Sequence, residues 1–260
     1  HQLLIQDTLN RVLQDLCPKQ VVDSAERGEF PSALWGALSE TGLTLTGLPE
    51  EHGGSGGDPS DALLVMKGAG KFSAPIPIAE NFLGRMLCSE FGLLAPKGIT
   101  TFSDGSFSIS PDGELSGSSS ETAFARWSDS VVLIARQGDE SYLCSCSRES
   151  FEINEKNNVA GEPRDEISIK TKLLDDQFIL ADGVSRRARL LGAASRVAQM
   201  SGALESILEM SVSYSIERTQ FGKPISKFQA IQQQLATMAG EVAASIRAAQ
   251  SIHLSKELMI

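Results

Sequence analysis

The apolar positions in the first part of the chain recur at helical spacing and predict an all-helical N-terminal region. Leu4, Ile5, Leu9, Val12 and Leu16 follow one another at intervals of mostly three or four residues, as on one face of a helix. Pro18 interrupts this pattern. Three later helices are predicted after proline-containing segments. They follow Phe30-Pro31, Asp58-Pro59 and Pro75-Ile76-Pro77.

The spacing changes from Ile99 to about Ala181, where short apolar runs alternate with turn pairs such as Asp104-Gly105 and Asp112-Gly113. "VVLIA" (131–135) is typical of a buried strand, and "EISIKTKLL" (166–174) alternates as a half-buried strand does. These runs predict a small antiparallel β domain. Its serine-rich stretch "LSGSSSETAF" (115–124) has the least regular pattern.

From Ser185 onward the helical spacing returns. A first stripe is predicted on one helix, and a second helix carries a long apolar stripe that two helices alone cannot bury. The first stripe comprises Leu190, Ala194, Val197, Leu204, Ile207 and Leu208, and the second comprises Phe228, Ile231, Leu235, Met238, Val242, Ile246, Ala249 and Ile252. We expect later helices or another chain to cover the second stripe.

The chain is therefore predicted to be an α+β multidomain protein. We place an N-terminal helical domain at 1–98, a middle antiparallel β domain at 99–183, and the first two helices of a C-terminal helical bundle at 184–260.

The segment "LPEEHGGSGGDPSDA" (48–62) contains glycines before a predicted helix, which raises the question of a phosphate-binding loop. Such a loop needs a lysine and a serine or threonine after its last glycine, whereas Gly57 precedes Asp58 and Pro59. Asp58 and Pro59 instead suit the N-cap and the first position of a helix. We therefore interpret the segment as a connector between helices.

Composition and charge exclude several classes of protein. The formal net charge is −10, and without a basic run a nucleic-acid partner is not expected. No apolar run is long enough for a membrane span, and the scattered cysteines are typical of a reduced, cytoplasmic protein. Cys144 and Cys146 lack a second pair, and His1, His52 and His253 are dispersed, so no metal site is predicted.

One segment identifies a family resemblance. "YSIERTQFGKPISKFQAIQQQLATMA" (214–239) resembles the C-terminal signature of acyl-CoA dehydrogenases, Glu-Arg-x-x-Phe-Gly-x-Pro-Ile followed by Gln-x-Ile-Gln. "GLPEEHGGSGGD" (47–58) looks like the connector in that family's N-terminal domain, close to the mouth of the active site. "AGEPRDEISI" (160–169) lies where the family has the last strands of its β domain.

The resemblance implies FAD-dependent α,β-dehydrogenation of an acyl-CoA thioester, with electrons passed to an electron-transfer flavoprotein. In that family a carboxylate removes the α-proton and the flavin accepts the β-hydride. The resemblance also implies an oligomer, either a homo-oligomer or a heterotetramer with a related subunit.

Four residues match family positions that bind FAD. Arg218 matches an arginine that pairs with the FAD pyrophosphate of a neighbouring subunit, a role that suits a guanidinium group. Gln220 and Phe221 match a polar contact and an apolar wall beside it, although Phe221 could equally pack under a helical turn. Gln229 matches a glutamine that contacts the flavin nucleotide, but Ser226-x-x-Gln229 also reads as a capping box, which we favour.

Other positions depart from the family pattern. "ITTFSDGSFSI" (99–109) occupies the region of the family's flavin loop and is shorter, and the Trp-x-Thr beside the flavin becomes Glu121-Thr122-Ala123. The usual catalytic glutamate would lie beyond Ile260, and the alternative position for the base is Ala188, which cannot accept a proton. The catalytic residue is therefore unknown.

Three functions remain open. The first is an acyl-CoA dehydrogenase, and the second is a partner subunit of a heteromeric dehydrogenase that lacks the base and completes a neighbour's FAD site. The third is a helical scaffold of the same fold without activity. The departures in the β domain favour an unusual acyl group, bulky or ring-bearing.

Overall fold

The computed structural model describes residues 1–252, and its first part is helical as expected. Most predicted helix starts are confirmed, and one additional short helix follows Pro18. The helices are α1 (Gln2–Leu16), α2 (Lys19–Glu26), α3 (Ser32–Glu40), α4 (Pro59–Lys71) and α5 (Ile78–Phe91). On α1 the buried face is Ile5, Leu9 and Leu13, whereas Leu4 is 69% exposed. The apolar face predicted for α1 therefore differs from the observed one by a rotation about the helix axis, because Leu4 and Ile5 cannot both face inward.

Backbone amides of the glycine-rich connector donate hydrogen bonds within the connector itself. The amides of Gly54 and Gly56 donate to the carbonyls of Pro49 and Leu48, so they are not free to bind phosphate. Asp58 caps α4 by accepting from the Ser60 amide at 2.7 Å, and Asp61 completes a capping box. The structure thus confirms the interpretation of this segment as a connector.

The middle segment forms one sheet with the order β6-β7-β3-β2-β4-β5-β8, and β1 pairs beside β4. Its strands are β1 (Thr100–Ser103), β2 (Ser106–Ile109), β3 (Glu114–Ala123), β4 (Ser130–Gln137), β5 (Glu140–Ser147), β6 (Phe151–Asn154), β7 (Arg164–Lys172) and β8 (Phe178–Leu180). The pairing is antiparallel except that β1 and β2 run parallel to β4. The serine-rich stretch is an ordinary strand, β3, because pairing with β2 and β7 satisfies its backbone.

Strand β4 separates two hydrophobic cores, which explains its continuous apolar run. Val132 and Ile134 pack with the helices, while Val131, Leu133 and Ala135 pack with the other strands. Because successive side chains of a strand point to opposite faces, a strand buried on both faces needs apolar residues throughout. The helical core also includes Val184, Ala188 and Leu191, so the three segments share it and the domain boundaries stay a prediction.

Two helices follow the sheet, α6 (Val184–Glu217) and α7 (Gln229–Ser251). A two-residue hairpin, β9 (Thr219–Gln220) and β10 (Lys223–Pro224), joins them. The fold class is confirmed, although residues 253–260 of the predicted C-terminal domain lie outside the described residues.

The buried face of α6 consists largely of small residues, which corrects the predicted stripe. Ala194, Ala198 and Gly202 are buried, whereas Ile207 is 43% exposed. A Cβ on Gly202 would overlap the carbonyl oxygen of Lys67, and one on Gly70 would overlap that of Gln199. The backbones of α4 and α6 therefore touch directly, which large apolar side chains would prevent.

The apolar stripe of α7 is mostly uncovered within this chain. Val242 is the one α7 residue below a tenth exposure in the described part, and Leu235 is half-buried. The C-terminal half of α6 likewise exposes Met210, Tyr214 and Ile216. These surfaces agree with the expectation that two helices cannot bury the stripe on their own.

All four cysteines are buried and reduced. Burial raises the pKa of the Cys17 thiol to about 11 and of the Cys88 and Cys146 thiols to about 12, and it also raises the pKa of Cys144. Cys144 and Cys146 are two residues apart on β5, so their side chains lie on the same face of the strand, in the core formed by the strands. Across residues 1–252, no cluster of His, Cys, Asp and Glu could hold a metal ion, and no helix is long and apolar enough to cross a bilayer.

Candidate functional site

A cavity of about 800 Å³ lies where α5, α6 and the sheet meet. Ala79, Glu80 and Leu83 of α5 form one wall, and Gly192 and Arg196 of α6 form another. The third wall belongs to the sheet, where the polar lining is concentrated. It consists of Phe102, Ser103, Asp104, Gly105, Ser106, Ser118, Ser119, Ser120, Glu121, Ala123 and Arg164.

Local backbone features build the serine-rich wall. The pairing of β3 with β7 shifts by one residue between Ser119 and Thr122, so β3 carries a bulge there. Gly105 sits so close to β3 that a Cβ would lie 2.6 Å from the Ser118 carbonyl oxygen. The bulge and the close approach of Gly105 together bring the polar side chains of β3 and of the β1–β2 turn to one cavity.

The cavity contains the departures from the family pattern that the sequence indicates. Asp104 and Gly105 belong to the shortened flavin-loop region, and Glu121 and Ala123 replace the flavin-flanking Trp-x-Thr. The segments that depart from the family pattern therefore line this cavity, whereas no residue of the glycine-rich connector 48–57 does. The expectation that the connector lies close to an active-site mouth is not supported for this cavity.

An ion pair joins α5 to α6 at the cavity wall. The Glu80 side chain is 6% exposed, and its Oε1 accepts a short hydrogen bond from Arg196 Nη2. The other carboxylate oxygen, Glu80 Oε2, is buried and has no hydrogen-bond partner among the described residues. The negative charge of Glu80 raises the pKa of Arg196, so Arg196 stays protonated.

A second pair lies on the sheet side of the same cavity. Arg164 Nη2 donates to Glu162 Oε2 at 2.9 Å, while Arg164 Nη1 is buried without a partner in the part of the chain that the structure describes. Glu162 and Arg196 both line a second cavity of about 540 Å³, beside Trp127 and Phe124. Charges of alternating sign, Glu80, Arg196, Glu162 and Arg164, thus line the two cavities.

The four residues predicted to bind FAD lie elsewhere, between the end of α6 and the start of α7. Arg218 follows α6 directly and is exposed, and no side-chain hydrogen bond or ion pair is recorded for it within residues 1–252. Gln220 donates to the neighbouring Thr219 carbonyl and is also exposed. None of the four lines the large cavity.

Phe221 has an unusual conformation at the tip of the hairpin. Its φ is +54° and Gly222 follows with φ +80°, as in a type I′ turn. The ring is 92% exposed and meets Phe228 edge-on at 6.2 Å between centroids. The alternative that Phe221 packs under a helical turn is therefore wrong.

Gln229 is the first residue of α7 and is exposed. The predicted capping box is also wrong, because the N-cap residue is Phe228 and no side chain caps the helix. Residues 225–227 form a short 3₁₀ turn, which moves Ser226 away from the cap position. The side chain of Gln229 is therefore not used for capping within this chain.

Sequence reasoning missed Glu80, Arg196 and Arg164. Glu80 follows Pro77 closely and reads as an ordinary acidic residue in the first turn of a helix. Its pairing with Arg196 spans 116 positions and leaves no local pattern.

The comparisons with known proteins agree with the fold and the motifs. Residues 1–93 match the model "Acyl-CoA dehydrogenase, N-terminal domain", and residues 187–253 match "Acyl-CoA dehydrogenase, C-terminal domain". "Acyl-CoA dehydrogenase IpdE2" of Mycolicibacterium smegmatis is 24% identical, over 93% of this chain and 73% of its own length.

Solved structures show the same fold. The "Tcur3481-Tcur3483 steroid ACAD" superimposes with a TM-score of 0.86 at 19% identity, over 98% of this chain and 78% of the other. The ChsE4-ChsE5 complex from Mycobacterium tuberculosis gives 0.86 at 18% identity, over 98% and 79%. The order of helical, sheet and helical segments, the signature at 214–239 and these matches establish that the chain belongs to the acyl-CoA dehydrogenase family.

Proposed function

We propose that this chain is a subunit of a heteromeric, FAD-dependent acyl-CoA dehydrogenase and that it completes the FAD site of a neighbouring subunit. The observation that carries the proposal is the hairpin segment 218–229. Its four family positions are exposed, and they lie outside the chain's own cavity. A positive φ at a non-glycine residue costs about 1 kcal/mol or more, and at Phe221 it presents an aromatic ring to solvent.

The segment has the chemistry that an FAD pyrophosphate requires. The exposed Arg218 guanidinium offers a fixed fork of donors for phosphate oxygens. Gln229 begins α7, where the first backbone amides lack partners within the helix and the dipole favours an anion. In the family the flavin supplies the redox chemistry, and here these residues would hold and orient its phosphate-bearing part.

The chain's own cavity fits a flavin poorly. The positions of the flavin-flanking tryptophan and threonine hold Glu121 and Ala123, which offer neither a ring to stack on nor a hydroxyl donor. Asp104 and Glu80 add further carboxylates to the lining. At the alternative position for the base, Ala188 is buried and has no titratable group. We therefore assign no catalytic step to this cavity.

The relatives support a ring-bearing acyl-CoA as the substrate of the complex. One structurally similar protein is named a steroid ACAD, and another is a complex of two unlike chains, ChsE4 and ChsE5. We propose that the complex oxidises such an acyl-CoA and passes electrons to an electron-transfer flavoprotein.

A second candidate is a self-sufficient dehydrogenase that holds its own flavin. The size of the cavity favours it, because about 800 Å³ lies within the range of ligand-binding sites. The serine hydroxyls of the β3 bulge are donors that a flavin ring could use.

Flavin content separates the two candidates. The full-length protein would be purified alone and co-expressed with a related dehydrogenase chain from the same organism, and FAD per chain would be measured by absorbance after denaturation. Little FAD alone, with FAD and acyl-CoA-dependent bleaching regained in the complex, supports the partner subunit. One FAD per chain in the lone protein, bleached by an acyl-CoA, would establish the second candidate instead.

A further inference from the structure

Lys223 lies on the same face of the β9–β10 hairpin as Arg218. Gln220 is paired directly with Lys223 across the hairpin, and Thr219 is paired with Pro224. Directly opposed side chains lie on one face, and successive side chains along a strand alternate between faces. Arg218 precedes β9 in an extended conformation, with φ −71° and ψ 116°. Alternation therefore places Arg218 on the face that carries Gln220 and Lys223.

The two cationic side chains are close enough to meet one ligand. The Ile225 amide donates to the Arg218 carbonyl at 2.8 Å, so these two residues lie opposite each other and continue the pairing of the hairpin. Lys223 is two positions before Ile225 and is a diagonal neighbour of Arg218. Diagonal neighbours on paired strands are about 7–8 Å apart, a distance that long side chains can span.

An aromatic contact orients the Lys223 side chain without occupying its donors. Lys223 Nζ lies 4.5 Å from the centroid of the Phe228 ring, a cation–π contact. Lys223 is exposed, and no hydrogen bond or ion pair of its ammonium group is recorded within residues 1–252. Since an ammonium group has three N–H donors, Lys223 can bind an acceptor while it stays on the ring.

The chain around the hairpin is basic, although the protein as a whole is acidic. Residues 218–240 contain Arg218, Lys223 and Lys227 and no aspartate or glutamate, whereas the net charge of the chain is −10. The preceding carboxylate, Glu217, accepts a hydrogen bond from Ser213 on α6 at 3.2 Å. This local excess of positive charge attracts an anion.

The pyrophosphate of FAD carries two negative charges, one on each phosphate, and a single guanidinium offsets one of them. We propose that Lys223 is the second cation of the FAD contact, so that Arg218 and Lys223 each meet one phosphate of the FAD in the neighbouring subunit. The family signature Glu-Arg-x-x-Phe-Gly-x-Pro-Ile leaves the position of Lys223 unspecified. The inference rests on the proposed function, because it requires that the hairpin reach a neighbour's FAD.

The test is the affinity of the assembled, flavin-depleted complex for FAD, measured by flavin fluorescence at increasing KCl. Lys223→Met keeps an apolar side chain beside Phe228 and removes the charge. We expect FAD binding to weaken about fivefold or more, less than for Arg218→Ala because an ammonium group is not a bidentate donor. The Kd should also rise less steeply with KCl, since one charge contact fewer is screened. Lys223→Arg should restore both the affinity and the salt dependence.

The matched control is Lys227→Met, which removes the same charge from an exposed lysine in the 3₁₀ turn 225–227, outside the paired strands. It should change the affinity less than about twofold, because water and salt screen an exposed charge without a direct contact. Equal weakening in Lys223→Met and Lys227→Met would overturn the inference, since it would indicate a general effect of positive charge.

Unchanged FAD affinity in Lys223→Met, with weaker binding in Arg218→Ala, would also overturn the inference and would leave the proposed function intact. Unchanged affinity in both variants would contradict the proposed function as well. The two failures are therefore distinguishable in one set of titrations.

Discussion

The charged residues of the proposed FAD contact and those of the cavity lie at separate places in this chain. Arg218 lies exposed on the surface of the molecule, whereas Glu80 and Arg164 line the cavity between α5, α6 and the sheet. The Arg218 side chain makes no hydrogen bond or ion pair within residues 1–252, so its guanidinium is available to a partner or a ligand. A buried charge must be compensated, and here Arg196 compensates Glu80 and Glu162 compensates Arg164.

We expect Arg218→Ala to weaken FAD retention by the assembled complex about tenfold or more. A hydrogen bond to a charged group contributes ~1.5–3 kcal/mol, and every ~1.4 kcal/mol is tenfold in affinity. The melting temperature of the chain should not change, because the side chain is exposed. The measurement is FAD release during dilution, with the exposed Arg11→Ala on α1 as control. Equal FAD retention in the two variants would remove Arg218 from the cofactor site.

Arg126→Met should destabilise the fold by ~3–5 kcal/mol, because it leaves the buried carboxylate of Asp165 without its charged partner. Asp165 is fully buried and accepts from Arg126 Nη2 at 2.5 Å and from its Nε at 2.8 Å. Urea unfolding measures the change. Lys156→Met, which breaks an exposed pair with Glu166, should cost no more than ~1 kcal/mol. A similar cost for both variants would contradict the assigned role of the buried pair.

At the scale of elements, sequence spacing located most helices and two of the eight strands of the sheet, β4 and β7, but misjudged the buried faces of α1 and α6. The helix starts at Asp58-Pro59 and after Pro77 follow from local capping and proline geometry, which depend on neighbouring residues alone. The buried face of α6 depends on how closely α4 approaches, and that distance is a tertiary property. Glycine and alanine at Gly202 and Ala198 look weakly apolar in a sequence, yet they form the contact.

The difference between local and tertiary determinants also explains why the sequence did not predict strand β3 or the charged residues of the cavity. Its serines look like a loop in isolation, but neighbouring strands on both sides supply hydrogen bonds. The family motif predicts Arg218, Gln220, Phe221 and Gln229 as FAD contacts because they lie within twelve residues of one another in the sequence. Glu80, Arg164 and Arg196 come together only through the fold, so no local pattern could reveal them.

We expect Gly202→Ala to destabilise the protein by ~3 kcal/mol, because a Cβ there overlaps the backbone of α4 and forces the helices apart. The matched control is Gly240→Ala on α7, where a Cβ meets nothing within 4 Å. That substitution should stabilise by up to ~1 kcal/mol through helix propensity. Chemical unfolding of both variants tests the pair. Opposite signs are expected, and a shared sign would mean that the α4–α6 contact is looser than described.

At the scale of the whole molecule, this chain presents apolar surface that a lone soluble subunit rarely exposes. The exposed residues at the end of α6 and the half-buried stripe of α7 flank, in the sequence, the hairpin that contains Phe221. Assembly would cover this surface and present Arg218 to a neighbouring chain at the same time. The surface for association and the proposed FAD contact are thus adjacent along the sequence.

Met210→Asp should weaken assembly without unfolding the chain, because it places a charge on the exposed face of α6. The expected result is a lower mass by light scattering after size-exclusion chromatography, with an unchanged melting temperature. Leu94→Asp, at a residue that is 80% exposed and remote in sequence from α6, should leave the mass unchanged. If Met210→Asp also leaves it unchanged, this face of α6 is not the interface.

Because the four cysteines are buried, their reactivity can be used to follow local unfolding of this molecule over time. A thiol reacts as its thiolate, and burial holds the pKa of Cys17 and Cys88 far above neutral pH. Both belong to the helical core, whereas Cys144 and Cys146 belong to the core on the other side of β4. Each pair of cysteines therefore reports on the unfolding of the core in which it is buried. Their alkylation rates, read by mass spectrometry, will tell whether the two halves open as one cooperative unit or in sequence.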